Sequence, residues 1–411
     1  MVNKTFTVAT NDAGAYVPDG QEKFGFDTAN GPSTPAIDNF GMKLADIAHW
    51  ARTDVILVAA ENSPQRSKNI ADFVVNGTAN NAATTINAAI VSANGEVPIV
   101  LQSGTYELDE GTSPILVNVP GTVLVGLSKK AVIKCITASG VGTERLQVTA
   151  DACVISSLTF DGGGLINSGS AINATAGSGT NLVINNCEGV NSLSFFANIT
   201  DAGARITNCH VSDVASGFVI GGDAVLRDCT VSSIQGTGTG TTSVAIKISG
   251  SAEVSDCNVA GKIDINIPSS TGNNSIVSLN HCLSTFTGTG NAIQVNAGAG
   301  NNATGVNVTM NHCKSSANSI NLSGYYSDTF VTMFGCEAAT QIVNQSGTNC
   351  NLYMCTAKQA TDGFSIGVDN CVLSNCIGDV TITSSSCTLI KTVGTVADTG
   401  TNTVDAIVNL P

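Results

Sequence analysis

The sequence predicts an all-β protein built as a long stack of short-stranded coils. Three observations carry that reading. The composition favours strands and turns, a short motif returns every few dozen residues, and the columns of that motif alternate between apolar and polar residues. The chain has 411 residues, of which only 12% are charged and 5% aromatic. Glycine accounts for 43 of them. Val, Ile, Ala, Thr, Ser and Asn dominate, a mixture suited to pleated strands and tight bends rather than helices. Mean hydropathy is +0.21, which excludes a disordered chain.

The motif is seen in "VINNCEGV" at 183–190, "ITNCHVSDV" at 206–214, "LRDCTVSSI" at 226–234 and "VSDCNVAGK" at 254–262. Its cysteines continue as Cys187, Cys209, Cys229, Cys257, Cys282, Cys313, Cys336, Cys355 and Cys376. The spacings run from 19 to 31 residues, as expected of stacked coils with loops of unequal length. Three residues before the cysteine lie Ile184, Ile206, Leu226, Val254, Leu279, Met310, Met333, Leu352 and Leu373, all apolar. Five before, from Leu182 and Ala204 to Cys350 and Cys371, the residues are small or apolar. Two before, the column is mostly polar, including Asn185, Thr207, Asn280 and Asn311. This is period-two alternation with one face buried.

The residue just before the cysteine is Asn186, Asn208, Asp228, Asp256, His281, His312, Gly335, Met354 or Asn375. Asn, Asp, His and Gly tolerate positive φ, so a tight left-handed bend is expected there. The bend resets the alternation, so that positions minus five, minus three and zero all face inward. Cysteine, a compact and easily buried hydrophobe, then fills a narrow corner repeatedly. "CVISSLTF" at 153–160 fits the same register with Leu158 in the cysteine's place. "TVLVGL" at 122–127 reads as an earlier coil and "CTLIK" at 387–391 as the last. About a dozen coils at roughly 4.8 Å each give a rod on the order of 55 Å.

Such a stack resembles the right-handed parallel β-helix, the pectin-lyase-like fold. Residues 71–108 strengthen the resemblance, with Asp72, Phe73, Gly77, Thr78, an Ala/Ile helix through Ile86, Ala88, Ala89 and Ile90, and then Gly104, Thr105 and Tyr106. This is similar to the segment that opens many phage and bacterial β-helix proteins. Here Asn80 and Asn81 stand where an Asp pair is usual, and Gln102-Ser103 where Pro is common. Asn80 or Asn81 is expected to cap the helix and Asn94-Gly95 to end it, with Ile86, Ile90 and Ala93 on one face. The helix would plug the open end of the stack. The expected divisions are an attachment or oligomerisation segment over 1–70, a capping helix and first strand over 71–110, the β-helix over 111–395 and a tail over 396–411. Within the first, Phe40, Leu44, Ile47, Ala48 and Ala51 fall at helical spacing and Val55–Ala60 reads as a strand.

The net charge is −14, and no Lys/Arg cluster exceeds Lys129-Lys130, which argues against a nucleic-acid partner. No apolar run suits a membrane span. The N-terminus lacks the apolar core of a signal peptide, so synthesis in a reducing cytoplasm is expected, with the 14 cysteines packed rather than paired. Cys350/Cys355 and Cys371/Cys376 form two columns, and stacked cysteines lie close enough for some pairs to oxidise after release from a cell.

No catalytic, cofactor or metal residue is singled out. Asp228 and Asp256 could stack as a carboxylate pair, but both fall in the bend column. His281 and His312 should stack and point away from Cys282 and Cys313, so a zinc site is not expected. Trp50 lies outside the coils, and Tyr325, Tyr326 and Tyr353 are the only tyrosines after residue 110. The acidic groups Asp201, Asp213, Asp223, Glu253 and Asp264 are thinly spread. The expectation is a non-enzymatic protein without cofactor. The resemblance implies a structural protein of a tailed-phage virion, a capsid decoration protein standing on the particle surface as a homotrimer. It would bind other virion proteins through residues 1–70. The alternatives are a tail spike or fibre that binds, or also cleaves, host surface glycan, and a bacterial polysaccharide-active enzyme.

Overall fold

The computed structural model describes residues 55–399 except 78–80, 110–113, 137–143, 165–167, 175–179, 192, 201–202, 235–243, 268–273, 298–304, 325–328, 347 and 360–362, together with 403–404 and 407–408. The chain divides into Met1–Val55 and Ile56–Pro411, and the second unit is the β-helix. The arm over 1–36, the helix over 38–51 and Trp50 lie outside the described residues. The strand-like run of 55–60 does not belong with them. Its strand, Ile56–Ala59, pairs in parallel with Phe73–Val74 on one side and Ile99–Leu101 on the other, so it is the first layer of the stack.

Three parallel sheets run the length of the unit, with 16, 11 and 13 strands among the described residues. The first sheet is in the register expected from the sequence. Leu124, Ile155, Ile184, Ile206 and Leu226 stand side by side, and the row continues through Val254, Leu279, Met310, Met333, Leu352 and Leu373 to Leu389. All of them are buried, and each contributes roughly 1.5–3 kcal/mol by leaving water. The second sheet consists largely of two- and three-residue strands after the cysteine, and the third of the longer strands that follow. Residues 396–398 and 403–404 continue the third and first sheets beyond the last coil expected.

Between the first and second sheets the chain turns through one residue of positive φ. These are Ser157, Asn186, Asn208, Asp228, Asp256, His281, His312, Gly335, Met354, Asn375 and Lys391. The turn keeps its backbone bonded. Asn186 N donates to Thr207 O of the next rung (3.0 Å), Asn208 N to Arg227 O (3.2 Å) and His312 N to Phe334 O (2.8 Å). A second column of positive φ lies six residues before the cysteine, where the third sheet meets the first. It holds Ala152, Asn181, Gly203, Asp223, Asn370 and Ser386. Asn181, Gly203, Asp223 and Asn370 are residue types that suit such a bend, a signal the sequence reading passed over, whereas Ala152 and Ser386 do not mark it.

All fourteen cysteines are buried thiols. In the nine-member column each sulfur also serves as a weak donor. Cys282 Sγ lies 3.6 Å from Val254 O, Cys313 Sγ 3.5 Å from Leu279 O and Cys336 Sγ 3.4 Å from Met310 O, in every case the carbonyl of the rung below. A methyl group would fill the corner but leave these carbonyls without that contact.

The helices are α1 (Gln65–Ile70) and α2 (Asn81–Ala93). Ile86, Ile90 and Ala93 are buried in the core, and α2 ends at Asn94 and Gly95, both at positive φ, as the sequence indicates. The Asn87 side chain closes the exposed edge of the third sheet, donating to Pro114 O (3.1 Å) and accepting from Leu116 N (2.8 Å). Tyr106 of the Gly-Thr-Tyr stretch is fully buried, its hydroxyl 2.7 Å from Val58 O and 2.9 Å from Gln102 O. It ties the first coil to the capping strand. Gln102, where Pro was the commoner residue, donates to Ser67 O (3.1 Å) and fixes α1.

One stretch of core is aromatic. Phe160, Phe196 and Phe218 pack edge to face, with centroids 6.2 and 5.5 Å apart. Gly189 sits between Phe160 and Val211 in the second sheet and makes room, since a Cβ there would lie 2.4 Å from the Phe196 ring. Gly189→Val is therefore expected to lower unfolding free energy by about 2–4 kcal/mol, read by denaturant titration. At the bend, Asn208→Gly should be nearly neutral and Asn208→Val should cost about 1–3 kcal/mol in the same measurement. Equal effects of the two would show that the left-handed bend does not constrain the fold.

Candidate functional site

The outer face of the first sheet carries a patch that its position in the stack assembles. Four successive strands contribute: Ile276–Asn280, Asn307–Asn311, Thr329–Phe334 and Thr348–Tyr353. Asn280, Asn311, Phe334 and Tyr353 stand in register two residues before the cysteine. Asn311 Nδ2 donates to Asn280 Oδ1 (2.8 Å), so the amides form a short ladder. Four residues earlier on the strands, Ile276, Asn307, Phe330 and Asn349 form a parallel row. Ile276 is 61% exposed, Phe330 50% and Phe334 40%, although all three are large and apolar.

The bend column borders this patch with rings. His281 and His312 stack face to face, centroids 5.4 Å apart and planes 7° apart, as the sequence indicates. His312 then meets Phe334 edge-on at 5.5 Å. Gly335 is what allows this. A Cβ at Gly335 would lie 2.6 Å from His312 Nδ1, so the missing side chain is the seat of the imidazole. Met354, 55% exposed, follows in the same column. The rings of His281, His312 and Phe334 thus touch in sequence, and Tyr353 and Met354 follow on the next rung, a ribbon with amides alongside. None of the residues 276–281, 307–312, 329–335 and 348–354 is Lys, Arg, Asp or Glu. An exposed apolar surface of this kind marks an interaction site.

Asp228 and Asp256 occupy successive bends, both at positive φ. Asp256 lies 3.8 Å from His281 Nδ1, at the edge of the ribbon. Glu253 faces Arg227 at 3.7 Å, and Asp213 and Asp223 occupy bends. Asp201, Tyr325 and Tyr326 lie outside the described residues. Among the described residues no group of three His, Cys, Asp or Glu side chains gathers where a metal could be held.

Asp264 differs from the other acids. It stands on the outer face of the third sheet in register with Lys247, Gln294 and Asn321. Its Oδ1 is buried without a hydrogen-bond partner, and so is Asn321 Oδ1. Burial pushes the Asp264 carboxyl above the ordinary aspartate range, against the pull of Lys247 and Lys262. Burial likewise pulls the Lys262 ammonium down, and its Nζ lies 5.1 Å from the centroid of the Phe286 ring. Burial favours the neutral carboxyl and the two lysines favour the ionised one, with burial the larger effect, and a carboxyl tuned in this way is a candidate proton donor.

Sequence reading missed both features. Phe334 and Tyr353 were visible as two aromatic residues in a polar column, the signal that would have found the ribbon. Asp264 gave none, because its burial comes from the tertiary structure.

No protein-family model matches the chain, and no curated protein sequence does. Solved structures do. The A-module of a mannuronan C-5 epimerase from Azotobacter vinelandii matches over 83% of this chain and 98% of its own, at 12% identity and a TM-score of 0.42. The surface protein and adhesin PfbA of Streptococcus pneumoniae matches over 81% and 95%, at 11% identity and 0.43. The catalytic unit of an α-1,3-glucanase from Streptomyces thermodiastaticus matches over 82% and 69%, at 12% identity and 0.45. The expectation of a non-enzymatic protein is corrected here, because an epimerase and a glucanase stand among the structures this chain is similar to. Thinly spread acids in the sequence are no ground for excluding catalysis, since tertiary burial, as at Asp264, decides which acid is tuned. What the chain shares with these structures is the architecture, a parallel β-helix.

Proposed function

We propose that the protein engages a polysaccharide along the outer face of the first sheet, the alternative that the sequence set beside a capsid role. The ribbon of His281, His312, Phe334, Tyr353 and Met354 carries the reading. Sugar rings present apolar C–H faces and a rim of hydroxyls, which suit exposed ring faces flanked by asparagine amides. The absence of Lys, Arg, Asp and Glu from the four strands favours a neutral glycan over a charged one. The rungs repeat at about 4.8 Å, so the surface is periodic along the axis, as a polymer ligand is. Phe334→Ala and Tyr353→Ala are expected to weaken retention on a neutral surface polysaccharide roughly three- to tenfold each in affinity electrophoresis. The molar mass by light scattering should stay unchanged. Unaltered retention with a fall in molar mass would identify the ribbon as a contact between copies of this chain instead.

A second reading, that the chain modifies or cleaves a glycan held on the outer face of the third sheet rather than the first, is favoured by Asp264. Its carboxyl titrates above the ordinary aspartate value of 3.8 in the folded state. The unfolded chain therefore ionises first as pH rises, and stability held below the unfolded pKa is lost as pH climbs through the folded one. Asp264→Asn removes that loss. Its Tm should exceed that of the parent near neutral pH and equal it below about pH 3.8. If Asp264 donates a proton, the same variant releases no sugar ends from a substrate the parent cleaves. A variant less stable than the parent at neutral pH would remove the basis of this reading.

A further inference from the structure

Asn344 breaks the rule of its column. Its register neighbours on the third sheet are Leu322 and Ile366, all three are buried, and Asn344 has no exposed surface. A carboxamide in an apolar column is unfavourable unless its polar atoms are put to use. Asn344 Nδ2 is directed at two sulfurs, 3.1 Å from Cys350 Sγ and 3.4 Å from Cys371 Sγ. Those sulfurs lie 2.9 Å from each other.

Thiols of neighbouring rungs also lie beside one another in the nine-member column, and Cys387 beside Cys371, so what distinguishes this pair is the Asn344 amide shared by its two sulfurs. In the nine-member column each sulfur turns to a main-chain carbonyl, as Cys355 does to Tyr353 O (3.4 Å) and Cys376 to Leu352 O (3.4 Å). The next thiol beyond Cys371, Cys387, turns to Val368 O (3.4 Å) and Ser384 Oγ (3.4 Å). Cys350 Sγ instead faces Cys371 Sγ and the Asn344 amide. Cys350 lies in the strand Thr348–Tyr353 and Cys371 directly precedes the adjacent strand Val372–Ser374, each one residue before the paired Asn351 and Val372. Neighbouring strands lie about 4.8 Å apart, inside the Cα separation a disulfide accepts.

We propose that Cys350 and Cys371 are a modification site, closed by peroxide into a disulfide between adjacent rungs, with Asn344 orienting the two sulfurs. One thiolate attacks a peroxide oxygen, the O–O bond breaks, and a sulfenic acid and one water result. The second sulfur attacks the sulfenic sulfur, the S–S bond forms, and the hydroxyl leaves as a second water with the remaining thiol proton. Two thiols thereby lose two electrons and two protons, and one peroxide becomes two waters. The buried site requires an oxidant of this size. The Cys350 thiol and burial push Cys371 up to about 12, so closure is slow at neutral pH and faster in alkali.

The test uses the full chain. Native protein is treated with hydrogen peroxide, denatured, alkylated and mapped by mass spectrometry. Two alkylatable thiols should be lost, the first linked peptide should join Cys350 to Cys371, and dithiothreitol should reverse the link. Asn344→Leu restores the apolar column and should retain the native circular dichroism while closing severalfold more slowly. A first disulfide at any other pair, consumption of thiols without a linked peptide, or no consumption before unfolding would overturn the proposal. Equal closure rates in Asn344→Leu would overturn the role of the amide.

Discussion

The structure depends on one backbone conformation, the single left-handed residue before each cysteine of the nine-member column. Strand alternation alone would turn the cysteine position outward. One residue in the left-handed region removes that inversion and lets two differently directed strands share a core. The conformation is unfavourable for most side chains. It persists because each bend N–H is bonded to the following rung, so each layer holds the next in place. The thiol column reinforces the same corner by offering weak donors to the carbonyls below. Coil height, corner angle and the outward rows all follow from this repeated residue.

Much of this was legible in the chain itself. The apolar column three before the cysteine and the bend column gave the first sheet's register residue by residue, because period and backbone chemistry agree there. The second bend column was overlooked. Asn181, Gly203, Asp223 and Asn370 carry the same signal as the first column, while Ala152 and Ser386 adopt positive φ because the stack imposes it. The strand at Ile56–Ala59 pairs within the stack for a related reason. Ile56–Ala59 is apolar throughout, a pattern common to docking elements and fully buried strands, and only pairing with Ile99–Leu101 decides between them.

The outer faces were less legible than the core. A column reading averages over its members, so Phe334 and Tyr353 disappeared into a majority of Asn, Ser and Thr. Their meaning depends on being consecutive in space, next to His312 and the gap over Gly335. Asp264 is harder still. Its row of Lys247, Gln294 and Asn321 reads as an ordinary solvated face, and the burial that tunes it arises only in the folded chain.

The loops between rungs differ widely in length, from coils that repeat after 19 residues to one that takes 31. The rings of the ribbon nevertheless stay aligned, since their spacing is set by the strand ladder and not by the chain between them. The outer rows and the loops that border them are therefore separable. The loops between rungs can lengthen, shorten or change sequence without moving any ring of the strip.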